Sequence, residues 1–234
     1  MGNFLTSSSI GRKLVMSISG AFLVLFITFH LIMNITVVFS EETYNAICAF
    51  LGANWYALAG TLVLAAGVGI HFIYATILTL QNLKARGNVR YAKTVREKGV
   101  SWASKNMFVL GLIVICGLLL HLFNFWYNMQ LVEIMGEHVN RFGYSPTDGA
   151  SLISDLFANP IYVAIYLVWF AALWFHLTHG VWSMLQSVGM SSKVWIKRLK
   201  VFSDIVATLL MLGYAFIVVV MFLRASGMCC GMCG

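Results

Sequence analysis

Six histidines occur in this chain, and five of them lie inside long stretches without Asp, Glu, Lys or Arg. His176 and His179 share one such stretch, which runs from Leu156 to Ser192. His30, His71 and His121 each stand near the middle of another. An ionisable side chain is costly in hydrocarbon, so one found there points to function. Two imidazoles that face each other across a helix bundle can hold a haem iron from both sides, the potential being tuned by the ligands and their surroundings. Four histidines on four separate helices would hold two such groups, one above the other. For any single histidine the plain alternative is a hydrogen bond between helices. Four at matched depth weigh towards ligation. A proton relay or transporter site is the rival class. It would favour interrupted apolar segments in repeated halves, and none is evident.

The elements that must position these rings follow from composition. Of the 234 residues 60% are hydrophobic and 10% charged, with a mean hydropathy of +0.86. That leaves too little charge to cover a soluble domain. Uncharged runs occupy residues 14–40, 43–83, 106–132, 156–192 and 205–223. A spanning helix needs about 20 apolar residues, so each run crosses once. The longest, 43–83, has a turn at Gly52-Ala53-Asn54 before its helix begins. Helices are expected near 14–39, 55–83, 105–128, 160–188 and 203–224, with Asn159 as N-cap and Pro160 in the first helical position of the fourth. The fold class expected is therefore all-α, a polytopic membrane bundle of five helices forming one domain over 1–234.

Charge sets the orientation. Thirteen of the fifteen Lys and Arg fall on one side of these spans, in residues 12–13, 84–105 and 193–200. Six of the eight acids fall on the other: Glu41, Glu42, Glu133, Glu137, Asp148 and Asp155. The positive-inside rule puts the N-terminus in the cytoplasm and the C-terminus outside. The net charge of +7 thus reads as topology and as contact with lipid headgroups, and no nucleic-acid partner is expected. Arg12-Lys13 ahead of an apolar run resembles a signal, but the run is long and lacks a small-x-small cleavage site, so it reads as the first span. Cys230 and Cys233 have a C-x-x-C spacing with no second pair to complete a metal site, and read as part of a short tail.

Depth ranks the rings. His30 is 17 residues past Lys13 and His121 is 16 past Lys105, whereas His71 is 13 before Lys84 and His179 is 14 before Lys193. His30 and His121 come nearer the outer face, His71 and His179 nearer the cytoplasm, by about 5 Å. Depth does not choose between His176 and His179. Gly67 and Gly117 stand one turn before His71 and His121, and Gly180 follows His179. Small residues there let a flat ring approach, as they also let helices pack.

Specific residues carry a family resemblance along almost the whole chain. They are Ser9-Ile10-Gly11-Arg12-Lys13 leading to Met16 and Ser19-Gly20, His30-Leu31 with Asn34, and His179-Gly180 with Trp182-Ser183, Gln186 and Gly189. With the five-helix plan they make the chain resemble the cytochrome b membrane-anchor subunit of succinate dehydrogenases and fumarate reductases, of the single-chain, dihaem type. The resemblance implies a subunit of the cytoplasmic membrane of a prokaryote. It would anchor an iron–sulfur subunit and a flavoprotein on the cytoplasmic face, with the dicarboxylate site on another chain. Electrons would pass between a membrane quinone, menaquinone in many relatives, and the iron–sulfur chain through two haem b groups. A dimer of the heterotrimer is one assembly open to it.

The same resemblance implies His71 and His179 as ligands of the haem proximal to the iron–sulfur subunit, and His30 and His121 as ligands of the distal one. His176 does not match a ligand. The quinone would sit near the distal haem, among Asn34, Glu41, Glu42, Tyr44 and Asn124, with Glu42 as the proton acceptor. Lys13, Ser17, Ser19, Trp102, Lys105 and Lys193 fall at the cytoplasmic level, where they could hold haem propionates by charge-assisted hydrogen bonds. Trp55, Trp102 and Trp126 also suit an interfacial belt. Some dihaem members carry a membrane glutamate two residues before the fourth ligand. Leu177 stands there, a departure that puts transmembrane proton transfer in doubt. Two alternatives stay open: the cytochrome b anchor of a hydrogenase or formate dehydrogenase, and a haem-free transporter or anchor.

Overall fold

The structure is a computed structural model and describes residues 8–86, 102–190, 192 and 194–227. It is helical throughout, with no strand among the described residues. Five helices are long and apolar enough to cross a membrane. We label the helices α1 (Ser9–Phe39), α2 (Glu41–Phe50), α3 (Trp55–Arg86), α4 (Met107–Ile134), α5 (Gly149–Ala158), α6 (Pro160–Ser187) and α7 (Trp195–Ala225). A single turn, Trp102–Lys105, leads into α4.

Local chemistry explains the boundaries. Ser8 caps α1 by accepting from Gly11 N at 2.9 Å. Ser40 is extended and accepts from Thr43 N at 3.1 Å, ending α1 and starting α2 with Glu41 and Glu42 in the first turn, where the helix dipole favours acids. Asn159 caps α6 through Ile161 N at 2.9 Å, with Pro160 just inside, as expected. The turn at Gly52-Ala53-Asn54 also lies where expected, directly before α3.

Three features differ from the expectation. First, α2 and α5 are two short helices outside the spans. A ten-residue helix with few charges resembles an apolar loop in a list of uncharged runs, and only one buried face marks it. On α5 that face is Leu152, Ile153, Leu156 and Phe157. Second, α7 starts at Trp195, not near 203. Lys197, Arg198 and Lys200 therefore ride on its first turns, and Lys200 pairs with Asp204 one turn on. Long basic side chains can reach an interface from within a helix, so charge alone did not mark the end of the span. Third, α4 runs past 128 to Ile134, through a π-helical stretch, Leu122–Leu131, directly after His121. Such stretches are rare and often sit at functional sites.

The core lies between α6, α7 and α1. A third of the most apolar window of α6 and of α7 is buried, against none of that of α3. Ala207 of α7 is fully buried. The α1–α7 approach depends on Gly213, where a Cβ would meet Leu31 Cδ2 at 2.7 Å. Tyr214 donates to Ile27 O at 2.6 Å and Trp174 to Thr208 Oγ1 at 2.9 Å, tying these helices at depth. Arg224 donates to Val38 O at 2.6 Å, satisfying a carbonyl at the end of α1. α3 stands at the edge, with no buried residue among those described.

Candidate functional site

The helices bring the histidines into two facing pairs. At one level His30 of α1 and His121 of α4 stand 5.8 Å apart, ring centre to ring centre, with their planes 88° apart. At the other, His71 of α3 faces His176 of α6 at 6.3 Å and 62°. A metal–imidazole bond is about 2 Å long, so two rings on opposite sides of one iron stand roughly 6 Å apart. Both pairs have that spacing. Trp169, whose ring faces His121 at 5.8 Å, precedes His176 on α6 by seven residues, about 10 Å along the axis. The pairs therefore occupy two depths.

The Nδ1 atoms of His121, His176 and His179 are buried without a hydrogen-bond partner among the described residues. Buried polar atoms without partners are uncommon in a finished site, so each calls for an explanation. Side chains of the protein itself fill the space at the glycines one turn before two of the histidines. At Gly67 a Cβ would meet Phe22 Cε1 at 2.7 Å, and at Gly117 it would run into the Trp169 indole. Gly180 opens instead towards Met107 Cε, at 3.8 Å from such a Cβ. Among the described residues no cluster of three or more His, Cys, Asp or Glu could hold a bare metal ion. Facing pairs suit a planar metal group that fills its own equatorial positions.

The other expected site residues divide by level. Ser19 is buried and its Oγ lies 3.2 Å from His71 Nδ1. Ser17 is buried and donates to Lys13 O at 2.9 Å. Lys13, Trp102 and Lys105 are exposed, and Trp102 lays its ring against Phe175 at 5.2 Å. Lys193 lies outside the described residues, as do Cys229, Cys230 and Cys233. His179 is not the ring that His71 faces; its own neighbour is Trp182, at 6.1 Å. At the His30 level Asn34 Nδ2 is 3.3 Å from His30 Nδ1. Glu42 is exposed in the first turn of α2. Asn124 is fully buried and donates to Tyr166 OH at 3.2 Å.

Tertiary structure adds residues that spacing could not single out. Phe26 stacks on His30 at 5.4 Å and 19°. Phe125, Tyr166 and Trp169 surround His121. Tyr44 is buried beneath α2 and donates to Asn34 Oδ1 at 3.1 Å. Burial holds its phenol well above the usual tyrosine range, so it stays a donor at any working pH, and burial pushes the neighbouring Cys48 thiol up to about 11. Gln130 accepts from Thr61 at 2.9 Å and Trp126 at 2.7 Å and donates to Gly52 O at 3.0 Å, closing α3 onto the π-helical stretch. Trp126 is thus tied inward rather than free in a belt. The signal available for these residues was only an amide or aromatic within an apolar run.

No known protein family matches the chain, and neither a curated protein nor a solved structure does.

Proposed function

We propose that this chain is the membrane-anchor cytochrome b of a succinate dehydrogenase or fumarate reductase, passing electrons between a membrane quinone and an iron–sulfur subunit. The observation that carries the reading is the pair of facing imidazole sets at two depths of a five-helix bundle, each at a spacing that suits one iron. The motif resemblance supplies the choice of complex. Haem b at each level supplies a one-electron carrier held within the bilayer. The chain's residues do the rest. His30 and His121 hold the outer group. His71 holds the inner one from α3. The aromatic rings around His121 and His30 exclude water. The basic stretches, cytoplasmic on this reading, meet the iron–sulfur and flavin-containing partners. At the outer face Asn34, Tyr44 and Asn124 form the polar lining near which quinone binds, and exposed Glu42 takes the quinol proton to bulk water.

A second reading of the inner level rests on one distance. The resemblance implies His179 as the partner of His71. The ring that faces His71 is His176, at 6.3 Å. Geometry therefore favours His176, three residues earlier on the same helix.

An optical spectrum of the purified full-length chain tests the whole reading. A reduced b-type spectrum with two haems per chain is expected, together with co-purification of a flavin-containing partner. No haem would leave a transporter or simple anchor. Haem with a partner lacking flavin would favour a hydrogenase or formate dehydrogenase anchor.

A further inference from the structure

The two levels treat the same ring atom in opposite ways. Ser19 Oγ is 3.1 Å from Met16 O and 3.2 Å from His71 Nδ1. Both contacts are hydrogen bonds at once only if the single hydroxyl proton goes to Met16 O, since a carbonyl only accepts. The serine oxygen then has only lone pairs for His71. An uncharged His71 ring therefore carries its proton on Nδ1 and leaves Nε2 bare.

Asn34 presents the reverse. Its Nδ2 donates to His30 O at 2.7 Å, and because that carbonyl only accepts, the nitrogen end of the amide is fixed there. Tyr44 donates to the other end, Oδ1, at 3.1 Å. The same Nδ2 lies 3.3 Å from His30 Nδ1 and offers it a proton. An uncharged His30 ring thus accepts on Nδ1 and keeps its own proton on Nε2, the atom a metal would need. Tyr44 is itself held from outside the bundle. Next to it, Asn45 donates to Asp148 Oδ1 at 2.8 Å and accepts from Ala150 N at 2.9 Å, clamping α2 to α5. The two helices meet closely at Gly149, where a Cβ would lie 2.6 Å from Cys48 Sγ.

We propose that Ser19 and Asn34 set the tautomers of His71 and His30 in opposite senses, so that the inner level is ready to bind metal and the outer level is latched by Asn34 and Tyr44. On the haem reading above, on which this rests, the inner site fills first. The outer site fills once the Asn34 side chain lets go of His30 O and turns over, giving its oxygen to Nδ1–H and its nitrogen to Tyr44 OH as acceptor. In that change the ring proton leaves Nε2 and one appears on Nδ1, with no net gain or loss. Metal-bound histidines are oriented by such partners, and losing one typically costs 10–100-fold in metal affinity.

Nitrogen-15 NMR of the histidine rings in the full chain, produced without haem, tests this directly. The expected result is the proton on Nδ1 in His71 and on Nε2 in His30. Ser19→Ala should weaken the first preference and Asn34→Leu the second. Tyr44→Phe, which keeps the buried shape, should loosen His30 in the same sense as Asn34→Leu but less. Rings that share one tautomer, or that ignore all three substitutions, overturn the proposal. With haem supplied at less than one per chain, the wild type should fill the inner level first, and Ser19→Ala should retain the inner group 10–100-fold less tightly. Outer-first filling also overturns it. A chain that never takes up haem would sink the cytochrome reading while leaving the NMR result to stand or fall alone.

Discussion

The two histidine levels, outer and inner on the proposed reading, differ in how completely the fold specifies them. At the outer level each helix offers one histidine, and both are enclosed: Phe26 and Tyr214 stand beside His30, and Phe125, Tyr166 and Trp169 beside His121. A roof of α2 and α5 closes that end through Asn45, Asp148 and Ala150. At the inner level α6 offers two histidines within one turn, both with a buried unpartnered Nδ1, and α3 brings His71 from the least buried helix of the bundle. A ring hemmed in by aromatic neighbours has one place to go. A ring at a loosely packed edge can be met from either of two positions on the facing helix.

The largest expected effects test that difference on the proposed haems. His30→Ala or His121→Ala should take haem content from two per chain to one, by optical spectrum, and abolish quinone-linked turnover while dye-linked activity of the partners survives. Unchanged haem in both variants would remove the outer pair from the account. Next comes the inner choice. Ring geometry predicts that His176→Ala loses the inner haem and His179→Ala keeps it. The opposite pattern would restore the ligand implied by resemblance and show that α6 rotates on loading.

A third, smaller contrast concerns the glycines. Trp169 is pinned over Gly117 by its bond to Val114 O at 3.1 Å, whereas Phe22 beside Gly67 is 36% exposed and can swing away. Gly117→Ala should therefore destabilise by about 1–3 kcal/mol, as overpacking does, and Gly67→Ala by less. Thermal unfolding in detergent would read the difference, and equal costs would argue against Trp169 being the more firmly held ring.

The smallest effect lies in the roof. Burial alone would raise the Asp148 carboxyl, but hydrogen bonds from Ser151 and Asn45 outweigh it and hold the group below its ordinary value. The ionised form is thus the favoured one in the fold. Its contribution is present at neutral pH and is lost as pH falls through the lowered value. Protection of the Ser151 amide, its exchange rate relative to the intrinsic rate at the same pH, should fall in acid, and Asp148→Asn should flatten that dependence.

The spans were legible because hydrocarbon imposes a length and excludes charge, so five apolar runs stand out whatever they pack against. The capping of α6 by Asn159 was legible for an equally local reason: one side chain reaches one nearby amide. The start of α7 was not, because Lys197, Arg198 and Lys200 can lie on a helix and still reach water. The helices α2 and α5 were not, because they are too short to stand out from the runs and loops around them.

Sequence alone determined that this is a five-span helical protein with histidines buried in the spans, since burial cost and helix length act residue by residue along the chain. Which histidines face each other was decided only by tertiary structure. So was the approach of Tyr44 on α2 to Asn34 on α1. Each depends on the rotation of one helix about its axis relative to another, and that is set by packing between elements distant in sequence, such as Gly213 against Leu31 beside His30.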